Sequence, residues 1–172
     1  MPTYVAFLRG VNVGGRIIKM ADLKVCFEKM GFKQAKTILQ TGNVIFESDK
    51  TDTAKLKGQI EETLTSTFNY PAKVQVIPLE DLRKIVEANP FADAPTDYHQ
   101  YVIFIENDLE ISLVTEAGKQ LGEAVKAGRG VVYWKVQKGQ TLSSTRGKLL
   151  SKSKYKNFNT NRNVNTLLKI IK

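Results

Sequence analysis

Cysteine and histidine are nearly missing from this chain of 172 residues, which has one of each, Cys26 and His99. A single cysteine forms no internal disulfide, and two such residues cannot build the His- or Cys-rich sites that hold zinc. A carboxylate site for a hard cation stays open. A Ser-His-Asp triad would have to draw on His99, which lies in the polar stretch DAPTDYHQ ahead of an apolar run, where a loop or strand-edge role fits better. Cys26 falls on the apolar stripe Leu23, Cys26, Phe27, Met30 and reads as a small buried hydrophobe. No apolar run approaches the roughly 18–20 residues that span a bilayer. The N-terminus, MPTYVAFLRG, lacks the basic leader, apolar core and cleavage site of a signal peptide. The expectation is a cytoplasmic protein with no membrane partner, no metal and no cofactor.

Acidic residues are missing from the last quarter. Residues 1–128 hold 15 Lys/Arg and 17 Asp/Glu, whereas residues 129–172 hold 11 Lys/Arg and no acid, so this tail supplies the whole net charge of +9. Segregated positive charge favours a polyanionic partner, nucleic acid or nucleotide, over a surface charged only for solubility.

What is present reads as alternating short strands and amphipathic helices. Residues 3–9, TYVAFLR, form a buried strand, and Met20–Met30 repeats apolar residues at helical spacing, with Gly31 as a cap. TILQ and VIFES are strands joined at Thr41-Gly42-Asn43. Asp52 or Thr53 caps a helix with the stripe Leu56, Ile60, Leu64, Phe68, and KVQVI follows as a strand. That order is the ferredoxin-like β-α-β-β-α-β unit. Beyond it come a helix from Leu79, a strand YVIFIE, a helix from Ser112 to Lys126 closed by Gly128, and a strand VVYWKV. A short helix STRGKLLSK, a polar connector SKSKYKNFNT and a final helix capped by Thr160 or Asn161 complete the chain. The fold class is α+β: a ferredoxin-like lobe, residues 1–78, packed on a second, less regular α+β lobe, residues 79–172.

Two regions carry candidate chemistry. The first is LRGVNVGG, residues 8–15, between a strand and a helix. Arg9 and Arg16 flank its glycines, Lys19 follows, and the N–H groups of Gly14 and Gly15 can cradle an anion near a helix start, with Asn12, Thr41 and Asn43 as neutral donors. The spacing matches neither G-x-G-x-x-G nor G-x-x-x-x-G-K-[ST], and a plain tight corner competes with the anion reading. In this topology LRGVNVGG, Gln40–Asn43 and Asn69-Tyr70-Pro71 all open on one end of the sheet. The second region is TNRNVNTLLKIIK, where Arg162, Thr166 and Lys169 fall along one helical stripe beside Asn163. Upstream, Arg146, Lys148, Lys152, Lys154 and Lys156 interleave with Tyr155 and Phe158, a pattern that single-stranded nucleic acid uses. The strand VIFES lacks the aromatic pattern of an RNA-recognition motif.

The motifs LRGVNVGG…IKMADLK…GF, TILQTGNVIFES, PLEDLRKIVEANPF and the closing T-x-R-N-x-x-T-x-x-K resemble a bacterial family catalogued as domain of unknown function 1697. The resemblance covers nearly the whole chain. It implies an α+β fold with ferredoxin-like subdomains and carries no established activity. Val164 stands where relatives often have Trp. The expectation for function is binding of a phosphate-bearing partner through the glycine-rich loop and the basic C-terminal region. A small enzyme using Arg9, Arg16 and Arg162 as anion clamps, and a protein-interaction module, are the alternatives.

Overall fold

Every second residue of the first apolar run, Tyr4, Ala6 and Leu8, faces the apolar stripes of two helices, and this periodicity builds the first half of the molecule. The computed structural model describes residues 1–11, 17–39, 42–105, 123–138 and 159–172. The chain is an α+β protein with two four-stranded antiparallel sheets. It divides into two compact units, Met1–Arg83 with Lys169–Lys172, and Lys84–Leu168.

The first unit runs β1 (Thr3–Arg9), α1 (Met20–Lys29), β2 (Lys33–Ile38), β3 (Asn43–Glu47), α2 (Thr53–Phe68) and β4 (Lys73–Pro78). Its strand order is β2-β3-β1-β4, every neighbour antiparallel, the split β-α-β-β-α-β arrangement. Leu23, Cys26 and Phe27 of α1 and Leu56, Ile60 and Leu64 of α2 are buried on one sheet face. Full burial of such side chains stabilises by about 1.5–3 kcal/mol each. Phe46 joins the two ends of this core, its ring 5.5 Å from Phe27 and 4.5 Å from Phe32. Asp52 caps α2, its carboxylate accepting from the Ala54 and Lys55 N–H groups at 3.0 and 3.2 Å. Asn69 ends the helix in the left-handed conformation. Glu61 ties α2 to the sheet by accepting from Val74 N at 3.1 Å and from Lys57 Nζ at 2.6 Å. β2 starts four residues before TILQ and carries a bulge, with Gln34 at φ +51 and a register shift between Lys33 and Lys36.

After α3 (Leu79–Glu87), the second unit has β5 (Tyr98–Ile105), β6 (Glu123–Ala127), β7 (Val131–Gln137) and β8 (Asn159–Asn163), in the order β6-β7-β5-β8; α4 (Val164–Ile171) follows, its residues from Lys169 on counted with the first unit. Ile103, Ile105, Val132, Trp134 and Val136 form its core, with Tyr101 stacked 5.0 Å from Trp134. The Tyr133 hydroxyl donates to the Ile85 carbonyl at 2.7 Å.

Two expectations are corrected here. The helix expected from Ser112 to Lys126 does not reach its end, because Glu123–Ala127 is a strand paired with β7; residues 112–122 lie outside the described residues. EAVKA has helix-favouring composition, and pairing with the strongly β-forming VVYWKV overrides it. Gly128 then opens a hairpin turn rather than capping a helix, its N–H donating to the Val131 carbonyl at 2.8 Å. The final helix begins at Val164, not at Thr160 or Asn161. Thr160, Asn161 and Arg162 instead pair as β8 with Phe104, Ile103 and Val102. Asn163 is the cap, its Oδ1 accepting from the Asn165 N–H at 2.8 Å. The segments STRGKLLSK and SKSKYKNF lie outside the described residues.

Candidate anion site at the end of the first sheet

β1 ends at Arg9 because Gly10 turns the chain at φ +68, a conformation that favours glycine. The hairpin between β2 and β3 closes against the same end. The Leu8 N–H donates to the Gly42 carbonyl at 2.8 Å, and Gly42 has φ +82. A Cβ at Gly42 would lie 2.7 Å from Val11 Cγ2 and 3.0 Å from Leu8 Cβ, so only glycine lets the hairpin approach the β1–α1 loop. β4 starts at this end as well, Lys73 standing opposite Arg9.

Register then decides which side chains share a face. Val5, Phe7 and Arg9 project from the sheet face opposite the helices. Directly opposite on β3 and β4 stand Asn43 and Gln75, both against Phe7, and Lys73 against Arg9. Two cations therefore face each other across adjacent strands, an arrangement that destabilises a sheet by itself. The Arg9 Nη1 atom is buried and has no hydrogen-bond partner among the described residues. Neither Arg9 nor Lys73 has an acidic partner among them. Burial lowers the Arg9 pKa from its ordinary value, because desolvation disfavours the charged guanidinium. An anion at this position would relieve both the desolvation and the like-charge repulsion.

Other sequence-derived candidates fall as follows. Asn43 is fully buried and braces the hairpin, its Nδ2 donating to the Ile38 carbonyl at 3.0 Å. Lys19 is exposed just ahead of α1, its carbonyl accepting from the Leu23 N–H at 3.0 Å. Asn12, Gly14, Gly15, Arg16 and Thr41 lie outside the described residues. In the second unit Arg162 lies on β8, so the helical stripe Arg162, Thr166, Lys169 does not exist as such. Its Nη1 donates to the Asn161 carbonyl at 3.1 Å, and Asn163 serves as the helix cap. Half-buried Thr166 and exposed Lys169 remain on α4. His99 is half-buried on β5 opposite Val136, and Cys26 is buried, its thiol pKa pushed up by that burial. Trp134, 1% exposed, is a core residue.

The sequence reading missed Lys73. The alternation of KVQVI places Lys73 and Gln75 on one face and Val74 and Val76 on the other, but only the strand register sets Lys73 against Arg9.

Among the described residues no group of three or more His, Cys, Asp or Glu side chains comes together, and no helix is long and apolar enough to cross a membrane. The fold is similar to that of the conserved bacterial protein SP0830 from Streptococcus pneumoniae. The TM-score is 0.82 at 23% identity, covering 98% of this chain and 96% of the other. No curated protein matches the chain. A family model described as "Protein of unknown function (DUF1697)" matches residues 1–133, and with three quarters of its length so matched the chain belongs to that family.

Proposed function

We propose that the protein binds a phosphate-bearing partner at the end of its first sheet, with Arg9 and Lys73 as the charge-bearing contacts. The observation that carries this reading is the buried Arg9 Nη1, without a hydrogen-bond partner among the described residues, beside a second cation on the same sheet face. Folding alone gives no reason to place two positive groups opposite each other there, whereas a phosphate gives one. The flanking loop, with Gly14, Gly15 and Arg16, and the hairpin residue Thr41 belong to the same reading as further donors. The basic tail beyond residue 128 supports it from a second direction, since a positive field raises the local concentration of phosphorylated partners.

Fluorescence anisotropy with labelled nucleotides and single-stranded oligonucleotides, over a salt series, tests the proposal. Binding at low salt that weakens in Arg9→Met and in Lys73→Met is the expected result. For an oligonucleotide the affinity falls steeply as salt rises, because several phosphates release counterions at once. Failure of every phosphorylated probe to bind at low salt contradicts it.

A further inference from the structure

β4 is the last strand of its sheet among the described residues, and after Lys73 its sequence, VQVIP, carries no charge, a composition that recruits further strands. The ladder shows which of its backbone groups face outward. The Leu8 N–H donates to the Gly42 carbonyl on the β3 side, so Leu8 and Val74 exchange no backbone hydrogen bond. Val74 therefore turns its own N–H and C=O away from β1, and Val76 and Pro78 share that direction by the period of two. Side chains of α2 cover these groups. Thr65 Oγ1 accepts from the Ala72 N–H at 3.1 Å, Glu61 Oε1 accepts from the Val74 N–H at 3.1 Å, and Lys57 Nζ donates to the Val74 carbonyl at 3.0 Å. Lys57 and Glu61 also bond each other at 2.6 Å. Lys57, Glu61 and Thr65 each stand one position beyond the buried Leu56, Ile60 and Leu64, so the rotation of α2 that buries its apolar stripe carries this polar stripe to the edge. Pro78 closes the other end of β4, having no N–H to offer. The opposite edge, β2, is blunted differently, by exposed Lys33 and Lys36 and by the bulge at Gln34.

We propose that Lys57, Glu61 and Thr65 form an edge guard that keeps a second copy of the chain from adding its own β4 antiparallel to this one; the inference does not depend on the anion reading above. Two identical β4 edges are self-complementary about a two-fold axis, and because β2 is blunted, the product of losing the guard is a closed dimer. Sedimentation velocity of the parent chain, Lys57→Ala/Glu61→Ala and Asp52→Ala, from micromolar to millimolar chain, tests it. The double substitution removes one charge of each sign and places alanine, the best helix former, on α2, so net charge and helix are kept. The double variant forms a dimer of the parent species at high concentration, and its Val74 and Val76 amides exchange more slowly there than at low concentration. Asp52→Ala weakens the start of the same helix without touching β4 and keeps the mass of the parent. An unchanged mass of the double variant, or equal association of Asp52→Ala, overturns the guard. So does a dimer in which those two amides are not slowed. A single substitution gives a second reading at low concentration. The Val74 amide exchanges about tenfold more slowly in the parent than in Glu61→Ala, the effect of one hydrogen bond. Equal rates overturn the guard even where the double variant does not fold.

Discussion

Arg9 is the residue whose position the fold does not explain. Its neighbours along β1, Val5 and Phe7, are fully buried, and apolar side chains satisfy such places at no electrostatic cost. A guanidinium there desolvates its charge, faces Lys73 and leaves Nη1 without a partner among the described residues. Such local inconsistency between sequence and fold marks functional positions in proteins that trade stability for binding. Titration at two other residues gives a separate prediction. Burial raises the pKa of Cys26, ordinarily 9.0, and of Tyr133, ordinarily 10.0. Both groups stay neutral in the folded chain at pH values where the unfolded chain releases their protons. Stability from this source is therefore complete below pH 9 and lost as pH rises through the raised folded values. Thermal melts from pH 7 to 11 should show a falling Tm above about pH 9, shallower in Cys26→Ala than in the parent chain. An unchanged slope in that variant assigns the alkaline loss to other groups.

Among the elements, the first unit is legible in the sequence almost strand by strand, because alternation, helical stripes and turn residues agree there. Asp52 precedes an apolar stripe and caps it, and Asp52→Ala should lower stability by about 1 kcal/mol, read as a shift of the urea midpoint with unchanged slope. Gly42 lies between two strands and turns between them. Gly42→Ala combines a positive φ with a Cβ 2.7 Å from Val11, so it should cost more than the Asp52 cap and disturb the sheet end where Arg9 lies. The second unit is less legible for a physical reason. Glu123–Ala127 has the composition of a helix, and Asn159–Asn163 has almost no β-forming residues. Each becomes a strand through a partner distant in sequence, β7 for the first and β5 for the second, and no local pattern encodes that partner. The same limit hid Lys73, since its alternation with Gln75 was visible and its register against Arg9 was not.

For the whole molecule, charge and site play different parts. In the proposed binding, the basic excess beyond residue 128 would act at a distance and be screened by salt, whereas Arg9 would act from a half-buried position where screening is weaker. Salt should therefore slow association more than it weakens the contact of a single phosphate with the sheet end. The central claim is that Arg9 is held at a cost to the fold in order to meet an anion. The direct measurement is the thermal midpoint of the parent chain and of Arg9→Met, each with and without millimolar phosphate. Methionine stands in for the aliphatic stem of the side chain and removes the half-buried charge, so its midpoint in phosphate-free buffer should equal or exceed that of the parent. Phosphate should raise the parent midpoint and leave the variant unmoved. An Arg9→Met chain that melts well below the parent without phosphate, or a parent chain indifferent to phosphate, would contradict the account.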